Sequence, residues 1–123
     1  FELRKALGEK NYNKAFQIAQ YFSENPNSNP IVVTISIIFD FFNKLLLFHS
    51  NNTLNDTKIA SILGVNPFFI KEYKTASINY DLRQVVSIIS ILRDYDMLSK
   101  GVGVKKAEPS LLKELVVKII NVS

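Results

Sequence analysis

The sequence predicts an all-α fold, a compact bundle of about six to seven helices. Apolar residues recur at three- and four-residue spacing along most of the chain, and glycines and prolines punctuate those runs. No alternating run of strand type stands between the turn signals. With 123 residues, 47% of them hydrophobic and 21% charged, the chain has the size and composition of one domain with its own core, read as 1–123.

The first helix runs from Glu2 to Leu7 and ends at Gly8, and a second runs from Tyr12 to about Glu24, where Asn25-Pro26 stops it. Ala15, Ile18, Ala19 and Phe22 form its apolar stripe. Next comes the greasiest segment, Ile31 to Phe48. Its β-branched opening could start a strand, but Asn29-Pro30 reads as an N-cap followed by a first-turn proline, and a run of about 20 residues suits a helix. Ser36, Asp40, Asn43 and Lys44 fall three or four apart and make one polar stripe along it. Asp40 and Lys44 would each cost about 2.5–3.5 kcal/mol in the middle of a bilayer, so the segment is read as a core helix and not a membrane span.

After a polar loop from Ser50 to Thr53, helices follow from about Asp56 to Leu63 and from Pro67 to Ser77, with Gly64 and Pro67 between them. Asp81 caps a long helix that reaches Lys100 and is closed by Gly101. That helix has two apolar ridges, Leu82, Val86, Ile89 and Arg93 on one and Ile88, Ile91, Tyr95 and Leu98 on the other, which implies two neighbours. A basic loop from Gly103 to Ser110 leads to a last helix, Leu111 to Ile120.

Several kinds of chemistry find no support in these residues. There is no cysteine, which removes disulfides, thiol nucleophiles and thiolate metal sites together and fits a reducing, cytoplasmic setting. His49 is the sole histidine, with no second strong ligand at metal-site spacing. Gly101-Val102-Gly103 before Lys105 and Lys106 lacks the third glycine and the strand that a phosphate loop requires. Asp94 and Asp96 stand two apart and so point to different sides of one helix. The expectation is therefore a chain with no catalytic, cofactor or metal residues. Fifteen Lys and Arg against eleven Asp and Glu leave +4, which favours an acidic partner without demanding one. Phe1 in place of an initiating Met suggests a piece excised from a longer protein.

One local pattern has a helix-turn-helix outline: Ile59-Ala60-Ser61-Ile62-Leu63-Gly64-Val65-Asn66-Pro67-Phe68-Phe69-Ile70. A DNA reader places polar or basic side chains at the start of its second helix, and Pro67, Phe68 and Phe69 stand there instead. Lys71 and Lys74 are the residues that would meet phosphates if this hairpin did bind DNA.

That same stretch, continued by Lys71, Ala76, Leu82 and Leu92 through Asp96-Met97-Leu98-Ser99-Lys100-Gly101, resembles the C-terminal region of delta subunits of the bacterial DNA polymerase III clamp loader. The opening Phe1-Glu2-Leu3, with Ala6 and Ala15, is similar to the passage from that family's lid domain into its last domain, so the likeness spans nearly the whole chain. It implies a collar-type helical domain that joins an ATPase subunit and a delta-prime subunit in a pentameric ring. The sliding clamp and primed DNA would then be reached through the parent complex, with no membrane involved. Asp96, Lys100 and Gly101 match the family's pattern near the end of the long helix. A collar needs apolar surface beyond its own core, and the ridge Ile88, Ile91, Tyr95 and Leu98 is the candidate subunit interface. A helix-turn-helix DNA-binding domain is the alternative, and an unrelated helical adaptor the third reading.

Overall fold

The computed structural model describes residues 2–101 and 110–123, and these are arranged as seven α-helices with one 3-10 turn and no strand among them. In chain order the helices are α1 (Glu2–Gly8), α2 (Tyr12–Glu24), α3 (Ile31–Ser50), α4 (Asp56–Leu63), α5 (Ile70–Asn79), α6 (Leu82–Ser99) and α7 (Leu111–Ile120). The all-α bundle expected from periodicity is present. The reading of Gly103 to Ser110 as a loop, and of the glycines at 101 and 103 with the lysines that follow, falls largely on residues 102–109, outside the described residues.

Short polar side chains begin three of the seven helices, α2, α4 and α6, by accepting from backbone N–H groups that have no intrahelical partner. Asn11 Oδ1 accepts from Lys14 N–H at 3.2 Å and Asn55 Oδ1 from Lys58 N–H at 2.9 Å. Asp81 forms a full capping box: its carboxylate accepts from Gln84 N–H at 2.8 Å, and Gln84 Oε1 accepts from Asp81 N–H at 2.9 Å. Gly64 ends α4 in the left-handed region at φ 71°, and Gly101 follows the α6 cap at φ 83°.

Two helix starts differ from the sequence reading, and α3 and α5 each run two residues further than expected, to Ser50 and Asn79. Pro67–Phe69 form a 3-10 turn ahead of α5, because Asn66 Oδ1 takes the Phe68 N–H at 2.9 Å and tightens the entry. At the start of α3, Pro30 itself holds the cap position, with φ −59° and extended ψ, and no side chain caps the helix. Asn29 instead donates its side-chain amide to the Asn25 carbonyl at 3.3 Å.

The core is built around α3, which pairs most extensively with α6 and also meets α1, α4 and α5, while α7 closes the other side against α2 and α6. Ile35, Ile38, Phe41, Phe42, Leu45 and Phe48 of α3 are buried. Its polar stripe faces outward, with Lys44 Nζ 2.9 Å from Asp40 Oδ2. α3 is long and apolar enough by composition to cross a membrane, and its buried face is what organises this bundle. Aromatic rings knit the centre: Phe41 stacks on Tyr73 at 4.9 Å, and Phe42 meets Tyr80 edge-on at 5.5 Å.

The short first helix is held from three sides. Tyr80 Oη donates to the Leu7 carbonyl at 2.7 Å and Asn79 Nδ2 to the Gly8 carbonyl at 2.9 Å. The Arg4 guanidinium lies over the rings of Phe41 and Phe69, at 5.7 and 5.6 Å, and 3.4 Å from Glu72 Oε1. His49 Nε2 sits 2.8 Å from the Tyr80 carbonyl. A carbonyl can only accept, so Nε2 carries the proton and the end of α3 is pinned to the turn before α6.

Candidate protein interface

Helix α6 carries the candidate interface, and the bundle sorts its two ridges. Val85, Ile88, Leu92, Tyr95 and Ser99, at alternating spacings of three and four, are buried against the neighbouring helices. Ile88 has no exposed surface, and Tyr95 lies against α7 with Lys118 Nζ 5.1 Å from its ring centre. Ile91 and Leu98 flank this seam and are partly buried on the core. The ridge Ile88, Ile91, Tyr95 and Leu98, expected to supply spare apolar surface, therefore faces inward. α3 and α7 together occupy that side of the helix, and replacing Tyr95 would disturb the fold itself.

The other ridge faces out. Leu82 is 49% exposed, Val86 53% and Met97 46%, with the exposed Arg93 between them and Ile89 leaning onto the core. These residues recur at spacings of four, three, four and four, so they form one continuous strip along the full length of α6. Most isolated apolar side chains on a surface need no explanation, but a strip at helical spacing is an organised feature. α3 adds exposed Val32, Val33, Ile37 and Leu47 on its own outer side.

Asp96, Lys100 and Gly101 sit together where α6 ends. Lys100 Nζ is 3.0 Å from Asp96 Oδ2, the Lys100 N–H donates to the Asp96 carbonyl at 3.2 Å, and Gly101 takes the left-handed turn beyond. Their arrangement terminates a helix, with a cation placed at the negative end of its dipole.

The α4–α5 hairpin is anchored by buried Ile59, Ala60, Leu63, Ile70, Tyr73 and Ala76. Of the two lysines assigned to the DNA alternative, Lys74 is engaged by Asp56, Nζ to Oδ1 2.9 Å, and Lys71 lines a cleft between α1 and α5. The residues that would meet base edges lie in an apolar 3-10 turn, and Phe68 and Phe69 have no hydrogen-bonding side chain to offer.

Two tyrosines in the core have displaced titrations. Desolvation by burial is the main cause for both, pushing Tyr73 up to about 12 and raising Tyr80 further. For Tyr73 the Arg4 guanidinium partly opposes this, while the carboxylates of Asp40 and Glu72 add to it. Both phenols are neutral at neutral pH, and that of Tyr80 donates to the Leu7 carbonyl. Among the described residues no three His, Cys, Asp or Glu side chains come together in a way that could hold a metal ion.

No family model, no curated protein and no solved structure matches this chain.

Proposed function

We propose that this chain is a non-catalytic assembly domain, the collar of a clamp-loader delta subunit, which helps hold together the cytoplasmic ring that loads a sliding clamp onto primed DNA. The observation that carries the reading is the outward apolar strip of α6, Leu82, Val86 and Met97 with Arg93 among them. The family-like stretches from Ile59 to Lys71 and from Leu92 to Gly101 support it from the sequence side. The strip takes the interface role first assigned to Ile88, Ile91, Tyr95 and Leu98.

In this role the strip lies against a neighbouring ATPase or delta-prime subunit, and burying the exposed half of Leu82 or Val86 contributes about 1 kcal/mol each. Arg93 supplies the kind of charged side chain that interfaces favour at a hot spot. Apolar contact of this kind tolerates salt, whereas a phosphate contact weakens steeply with it.

The test is size-exclusion chromatography with light scattering on the chain mixed with the ATPase and delta-prime subunits of its own loader. The expected result is a stable co-eluting complex that persists in high salt. Leu82→Asp with Val86→Asp should weaken it at least tenfold while leaving the helical circular dichroism of the isolated chain unchanged. Absence of any complex with well-folded partners would sink the proposal.

A further inference from the structure

The apolar strip on α6 has a polar border. Arg83, Ser87, Ser90 and Asp94, all exposed, follow one another at spacings of four, three and four and so run down one flank of Leu82, Val86, Arg93 and Met97. Arg83 and Asp94 stand at opposite ends of that flank, about three turns and about 16 Å apart. Neither forms an ion pair among the described residues. Lys118, over the Tyr95 ring, is within electrostatic reach of Asp94 without bonding to it. The two serines between them are short, which leaves room for a second helix to come close.

The order of these residues selects the occupant. When a second copy of α6 is laid on the first in the opposite direction, a two-fold axis lies between them and keeps the two flanks on the same side. Arg83 of each copy then meets Asp94 of the other, and Ser87 meets Ser90. Along the strip Leu82 meets Met97, and Val86 meets the aliphatic stem of Arg93. Flank and strip reach these pairings in registers that differ by about 3 Å, within the span of an arginine side chain. Laid in the same direction, the two copies would set Arg83 against Arg83 and Asp94 against Asp94. A partner surface of one sign fares no better, since an acidic one opposes Asp94 and a basic one opposes Arg83. The antiparallel copy matches both ends at once.

Such a contact is small. An 18-residue helix offers a face about 27 Å long and about 10 Å wide, well short of the about 800 Å2 per partner that a stable interface buries. Self-pairing is therefore weak and reversible.

We infer that a second copy of this chain covers the α6 strip when no ring partner is present, the two helices running antiparallel with Arg83 of each copy against Asp94 of the other. The inference rests on the reading of the strip as a contact surface, and it makes self-pairing and ring assembly compete for the same residues.

The experiment is sedimentation equilibrium of the 123-residue chain alone, in low salt. Mass should rise with concentration from 14.0 kDa toward twice that value, with a Kd of about 100 μM. Arg83→Asp and Asp94→Arg, each alone, put like charges at both ends of the contact and should each weaken self-pairing at least about fivefold. Both side chains are exposed, and circular dichroism checks that the variants remain folded. An equimolar mixture of the two variants restores opposite charges at both ends and should pair about as tightly as the parent. The inference is overturned by a mass that stays at 14.0 kDa up to about 1 mM chain, by self-pairing that neither variant weakens, or by a mixture that pairs no better than its components. No ring subunit enters this experiment, so its failure leaves the ring reading standing, and a failed ring complex leaves a measured self-pairing intact.

Discussion

Substituting one residue on each ridge of α6 tests the orientation on which the interface reading depends. Ile88→Ala removes about three carbon atoms from a side chain with no exposed surface. At about 0.8 kcal/mol per methylene the transfer loss is about 2.4 kcal/mol, and the cavity left between packed helices raises the total to about 3–4 kcal/mol. Val86→Ala removes about two methyls from a side chain already 53% exposed, a loss of about 0.8 kcal/mol. Alanine's better helix propensity returns about 0.5 kcal/mol of that, so the net change is close to zero. Urea titration followed by circular dichroism at 222 nm separates the two. With a slope of about 2 kcal/mol per molar, Ile88→Ala should lower the midpoint by about 1.5–2 M, and Val86→Ala by less than about 0.3 M. Equal losses, or the larger loss at Val86, would mean that α6 is turned the other way and the strip is not available to a partner.

Alkaline stability follows from the two buried phenols. Their folded-state pKa values are raised, so the stability they contribute is fully present below pH 10 and is lost as pH rises through about 12, because the unfolded chain releases those protons first. Melting temperature should therefore fall between pH 10 and 12 and fall less steeply in Tyr73→Phe; a curve identical to the parent's would refute the assignment. At the start of α6, Asp81→Ala removes the carboxylate half of the capping box and should cost about 1 kcal/mol, seen as a drop of about 3–6 °C in melting temperature. Asp81→Asn should avoid most of that loss, since an amide oxygen caps nearly as well.

Much of the fold was legible because its punctuation is local. Asp81, Gly64 and Gly101 act through backbone groups a few residues away, and each ends or begins the helix that its residue type implies. Asn66 acts just as locally: by capping Phe68 it converts the expected first turn of α5 into a 3-10 turn. The orientation of α6 was not legible. Leu82, Val86 and Ile89 are as apolar as Ile88, Ile91 and Leu98, and the choice between them is made by α3 and α7, far away in sequence. Arg93 was the one local sign that its ridge faces water. The cleft was invisible for a related reason, since Lys5, Phe41 and Lys71 meet only after three helices have packed.

The attachment of α1 has a consequence for the order of events as the chain is made. At seven residues α1 is too short to persist as a helix in water, and its ties to Glu72, Asn79 and Tyr80 span 68, 71 and 73 positions. A ribosome adding about 5–20 residues per second therefore makes this segment several seconds before these three partners exist. For that interval α2 and α3, already made, are the neighbours that Leu3, Ala6 and Leu7, all buried in the finished bundle, can meet. Tyr80, whose carbonyl takes α3 and whose hydroxyl takes α1, is the residue whose arrival lets the first-made helix find its place.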